Sequence, residues 1–174
     1  MARKHARILV SIWDDADFTS LDPTSQVVYF AILSSRDLSW CGVNPLLPQR
    51  FTTVSRGLTE KRVRASLDAL ATARFLVIDG NTAEVGVRTF VRHDDILNQP
   101  NVTKAMGRAF GLVRSEAIQR SLVTELGRAF QDDPEAKGWP SLRVAYPELF
   151  QQVTEKALPK SSRNPSANPF SKAS

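Results

Sequence analysis

Val27, Val28, Ala31, Ile32 and Ser35 recur at helical spacing behind Asp22-Pro23. Asp is a good N-cap and Pro at the first helical position gives up no needed donor, so a helix is predicted from 22 to about 36. Pro48 opens a shorter helix ending near Ser55, with Phe51 and Val54 inward. Gly57 then suits a left-handed turn. Thr59 caps a third helix to about residue 73, with Glu60 in its first turn and Val63, Leu67, Leu70 and Ala71 as its apolar stripe. Residues 74–79 and 84–91 read as two strands around Asp79-Gly80-Asn81-Thr82, a hairpin turn in which Gly and Asn would take positive φ. Cys41–Leu47 holds turn residues and one short strand, and 7–13 reads as a strand or extended arm. Trp13, Phe18 and Leu21 are expected to turn inward around a helical turn at 14–21.

Later segments carry less signal. Residues 92–100 read as a connector, Asn101 caps a helix to about Phe110, and Ser115 caps another to about Phe130. Ile118, Leu122, Leu126 and Phe130 share one face of that helix. A single helix cannot bury such a stripe alone. It must pack on the preceding domain, on 139–150, or on a second chain. Trp139–Val153 is ambiguous, with one turn at 147–150. The end is rich in Pro, Ser, Lys and Asn and is expected to be disordered.

These elements predict an α+β chain: a basic arm at 1–6, a winged helix-turn-helix at 7–93, a helical region at 94–155 and a disordered tail at 156–174. At 174 residues and 42% hydrophobic, the chain can build a core without staples. One cysteine, Cys41, allows no intrachain disulfide and suits a reducing cytoplasm. No apolar run reaches the roughly 18–20 residues of a membrane span, and the start lacks a signal-peptide core.

The formal charge is +5, and its distribution is informative. Arg50, Arg56, Lys61, Arg62, Arg64 and Arg74 face only Glu60 and Asp68 across 50–74, whereas 121–155 is acidic. With the stripe of the third helix inward, the opposite side carries Lys61, Ala65, Asp68 and Thr72, flanked by Arg62 and Arg64. Lys61, Arg62 and Arg64 are donors for guanine edges or phosphates. Ala65 admits a thymine methyl, and Thr59 and Arg56 lie where a helix N-terminus meets phosphate. Asp68 can pair with Arg64 four residues earlier. Asn81 marks a hairpin tip without a cation, and Arg74 and Arg88 at the strand ends are further phosphate candidates. The arm Arg3-Lys4-His5-Ala6-Arg7 can track a backbone or fray.

Two histidines and one cysteine cannot make a common zinc site, so the His93-Asp94-Asp95 run lacks ligands. No phosphate-cradling Gly loop and no nucleophile elbow is present. The expectation is no cofactor, no metal and no enzymatic activity.

Ser11-Ile-Trp-Asp-Asp-Ala-Asp-Phe18, Leu21, Gln26-Val-Val-Tyr-Phe30, Trp40-Cys-Gly-Val43, Arg88-Thr-Phe-Val-Arg-His93 and Gln99-Pro-Asn-Val102 resemble winged-helix DNA-binding or replication-initiation proteins of actinobacterial phages and prophages. The resemblance covers about residues 7–104 and is carried mainly by structural positions. It implies double-stranded DNA as partner, action in the bacterial host's cytoplasm and a role at a replication origin. A replicative helicase or loader, or a second copy of the chain, would be the protein partner. A transcriptional regulator needs the same groove chemistry. A protein-interaction module without DNA is the third reading, favoured if the chain's own acidic stretch at 132–135 covered Lys61, Arg62 and Arg64.

Overall fold

A computed structural model describes residues 5–93 and 95–157. Acidic caps set the start of the chain. The β-branched run at its beginning forms no strand; Val10–Asp14 is a 3-10 turn, because Ile12 already donates to Leu9 and a helix follows at once. Asp15 caps that helix, α1 (Ala16–Thr19), accepting from the backbone of Asp17 and Phe18. Phe18 is fully buried, but Trp13, expected inward, is 56% exposed and meets Phe18 only edge-on.

Asp22 caps α2 (Pro23–Leu33) through the backbone N–H groups of Thr24 and Ser25. The helix ends at Leu33, short of the expected residue 36. Its buried face is Val28, Tyr29, Ile32 and Leu33, while Val27 is exposed, a correction to the expected stripe. The aromatic cluster explains the rotation: Tyr29 packs edge-on against both Phe18 and Phe75.

Strand β1 (Val43–Pro45) leads to α3 (Pro48–Phe51), which buries Phe51. Val54, expected inward, lies past its end and is exposed. Gly57 takes φ +78, which a side chain would resist, and turns the chain into α4 (Glu60–Thr72). Thr59 caps α4, and Val63, Ser66, Leu67 and Leu70 are its buried residues. Strands β2 (Leu76–Asp79) and β3 (Glu84–Val87) complete an antiparallel sheet of order β1-β3-β2. Glu84 is paired with Pro45 on one side and Asp79 on the other.

The turn between β2 and β3 differs from expectation. The Asp79 carboxylate accepts from the N–H of Asn81 and Thr82, so a side chain organises it. The left-handed residue is Ala83, φ 52, and neither Gly80 nor Asn81. Strand β3 ends at Val87 instead of 91, and the chain enters α5 (Phe90–His93).

The rest of the described chain is helical: a 3-10 turn at Ile96–Asn98, then α6 (Pro100–Phe110), α7 (Glu116–Asp132), α8 (Trp139–Ala145) and α9 (Pro147–Ala157). Three expectations need correction. Asn101 is not a cap, since Pro100 opens α6 behind Gln99, which makes no side-chain cap bond. Two helices replace the ambiguous stretch after Trp139, each using a proline in its first turn. Lys156 and Ala157 belong to α9, with Ala157 buried; the remaining tail expectation, like that for residues 1–4, lies outside the described residues.

Ser115 caps α7 as expected. The α7 stripe is covered within the chain. Ile118 sits against Gly86 of β3, where an added Cβ would lie 2.9 Å from its Cγ2. Phe130 meets Trp139 and Phe150 edge-on at 5.2 and 5.8 Å. One continuous buried cluster runs from Phe18 through the sheet to Val153. The architecture is mixed helix with a small antiparallel sheet, α+β as expected.

Candidate nucleic-acid interface

The amphipathic pattern of α4 fixes which side chains it offers to solvent. With Val63, Leu67 and Leu70 in the core, Lys61, Arg62, Arg64, Ala65, Asp68 and Thr72 are all exposed. Arg56 and Thr59 are exposed beside its first turn. Six of the residues singled out from sequence, Arg56, Thr59, Lys61, Arg62, Arg64 and Ala65, therefore share one end of one helix.

The cations there are not equivalent. Arg64 is bound by Glu60, with Nε and Nη2 donating to one carboxylate oxygen at 2.9 and 2.6 Å. The expected partner Asp68 is not used. Glu60 lies N-terminal to Arg64 by four residues, the better order for a helical pair. Arg62 reaches across to α2, donating from Nη2 to Thr24 Oγ1 at 2.8 Å. The side chains of Lys61 and Arg56 make no hydrogen bond or ion pair among the described residues. Thr24, Ser55, Arg56 and Arg62 line a recess of about 190 Å³ between the start of α2 and the start of α4.

The acidic stretch at 132–135 does not cover this face. Asp132 is bound to Arg92 at 2.9 Å, beside Glu125, which is 1% exposed and held by Arg92 and Arg128 at 3.4 and 2.6 Å.

Arg74 and Arg88 stand apart from Lys61. Arg74 follows the last turn of α4, so a helix of 13 residues, about 20 Å at 1.5 Å per residue, separates the two groups. Arg74 and Arg88 instead line one cavity with Arg7 of the N-terminal segment, whose Nη1 is 2.8 Å from Asp95. The sequence had grouped them with the α4 cations; the strands carry them to the other end.

Asn81 is exposed at the hairpin turn, as expected. A cation that sequence reasoning missed stands beside it. Arg114 comes from the loop before α7, donates from Nη2 to the Thr82 carbonyl at 2.5 Å, and remains 70% exposed. Its anchor is Glu84, a nearly buried carboxylate that accepts the backbone N–H of Arg114 and, at 2.7 Å, that of Ser115. Thirty residues separate Glu84 from Arg114, and no local pattern announces the pairing.

Nothing matches. Neither a family model, nor a curated protein, nor a solved structure is similar enough to this chain to count. No described helix is long and apolar enough to cross a membrane.

Proposed function

We propose that this protein binds double-stranded DNA through a winged helix-turn-helix, with the first half of α4 as the reading element. The observation that carries the proposal is the exposed cluster Lys61, Arg62, Arg64 and Ala65 on the face of α4 opposite its buried stripe. A helix of this diameter fits the major groove, where base edges are distinguishable. The order α2, β1, α3, α4, β2, β3 and the edge position of β1 beside β3 support the winged form. Lys61 and Arg56 are uncommitted donors for phosphate or guanine. Arg62 is pre-positioned by Thr24, and Arg64 exchanges Glu60 for DNA on contact. Arg114 and Asn81 give the hairpin tip a donor pair for a flanking backbone. Arg74 and Arg88 are left out of the interface.

The biological role follows from the sequence resemblance: recognition of a phage-type origin at the start of replication. The test is selection of bound duplexes from a random pool, followed by affinity measurements across a salt series. A defined site should emerge. Lys61→Ala should flatten the salt slope by about 1 if it contacts phosphate. Arg62→Ala should cost about 1–3 kcal/mol and relax one position if it contacts a base. Failure to select any site, with no salt-dependent duplex binding, overturns the proposal. Mapping bound sites in a host genome then separates the roles: origin-proximal sites support replication, and promoter-proximal sites replace it with transcriptional control.

A further inference from the structure

A cavity lies at the far end of α4. It encloses about 230 Å³ between the N-terminal segment, α2 and the base of the hairpin. Three arginines line it, Arg7, Arg74 and Arg88. Arg7 is already matched by Asp95, but Arg74 makes no ion pair among the described residues. The Nε of Arg88 is buried and has no hydrogen-bond partner there.

The other residues lining the cavity define what it would hold. Asp15 is its carboxylate, but one oxygen is spent capping α1, at 2.9 and 3.2 Å from the N–H of Asp17 and Phe18. Tyr29 remains protonated at any ordinary pH, since burial pushes it up to about 12, so its hydroxyl is a donor. His93 is held below its ordinary value of 6.5, chiefly by burial and then by Arg92, so it adds no charge at neutral pH. Leu33, Phe75 and Phe90 supply apolar wall. A bare hydrated ion would leave that wall dry and unmatched. An apolar cavity of about 150 Å³ accepts benzene, so this one has room for a single ring and a small charged group.

We propose that this cavity binds a small organic carboxylate, its apolar body against Phe75 and Phe90 and its carboxylate on the forks of Arg88 and Arg74. A carboxylate offers the paired acceptors that a guanidinium fork is shaped for. The site does not depend on DNA binding, because no residue of the α4 face contributes to it.

The test uses the full chain and benzoate as probe, titrated by calorimetry and by amide chemical shifts. Benzoate should bind saturably at one site and shift residues of the N-terminal segment and the hairpin base. Benzyl alcohol, acetate and inorganic phosphate should each bind at least about tenfold more weakly, since the first lacks the charge and the other two lack the ring. Arg88→Gln and Arg74→Asn should each weaken benzoate by about tenfold or more. Asn suits Arg74's left-handed backbone, φ 63, and Arg74 is exposed, so this variant should keep the fold. If Arg88→Gln melts early, Arg74→Asn and the ratio of benzoate to benzyl alcohol decide alone. Equal binding of benzoate and benzyl alcohol, preference for phosphate, no saturable benzoate binding at millimolar concentration, or undiminished binding by the folded arginine variants overturns the proposal.

Discussion

Replacing Glu84 with alanine should loosen the hairpin from α7 more than any other single polar change. Glu84 is 8% exposed in the central strand. Its carboxylate accepts from Ser115 N–H at 2.7 Å and from Arg114 N–H at 3.1 and 3.2 Å, while Arg114 Nε stands 3.8 Å away. Hydrogen bonds to a charged acceptor are worth about 1.5–3 kcal/mol each. The Ser115 bond is short and buried and belongs near the top of that range. The Arg114 bond is split between two oxygens and belongs near the bottom. Removing a buried carboxylate also releases its desolvation cost, which offsets part of the loss. The net expectation is about 3 kcal/mol, or roughly 6–12 °C in Tm for a chain of this size. Glu84→Gln keeps an acceptor for Ser115 but turns a donor toward Arg114, and should cost about half as much. Urea unfolding followed by circular dichroism gives the midpoint, and an unchanged slope confirms that only stability moved. Faster hydrogen exchange at the Ser115 amide would localise the effect. A loss below about 0.5 kcal/mol for Glu84→Ala would refute the clasp as an energetic link.

Other outcomes follow from contacts elsewhere in the fold. Gly86→Ala should cost about 1–3 kcal/mol by overpacking against Ile118, and clearly less in an Ile118→Ala background; equal costs in the two backgrounds would show that the contact is not the cause. Asp22→Ala should cost about 1 kcal/mol by uncapping α2. Asp22 is held below 3.8, first by the Ser25 hydroxyl, so its contribution is complete above 3.8 and lost as pH falls through the lower folded value. Asp22→Asn should keep the cap and flatten that acid limb, which a pH series of urea midpoints will measure. His93 is depressed by burial, so its neutral form favours the folded chain; stability should fall as pH drops from above 6.5 toward its folded value, and His93→Gln should remove that slope. An unchanged slope in that variant would assign the effect to other groups.

What the sequence disclosed, and what it hid, divides by range. Asp22, Thr59 and Ser115 were legible as caps because a cap is a local bargain between one side chain and the next few N–H groups. Gly57 was legible for a similar reason. Prolines were harder to read in the second half: Pro100 falls in the expected connector and Pro140 in the ambiguous stretch, yet both sit in the first turns of helices, and Pro147 opens a helix longer than the one turn expected at 147–150. At the candidate interface, exposure of the α4 cations followed from periodicity alone. The partner of Arg62 did not, because Thr24 lies 38 residues away. The placement of Arg114 at the hairpin and the gathering of Arg7, Arg74 and Arg88 depend on how distant segments fold together, which no local pattern encodes.

The contact of Gly86 with Ile118 has a consequence for inheritance. The two residues sit on either side of the boundary expected at 93–94, yet they pack directly on one another. A gene fragment ending after α5 would leave β3 with one naked side and Glu84 without its amide partners. Such a fragment would be a poor unit of exchange between genomes. Recombination that preserved folding would have to carry residues from α1 through α9 together.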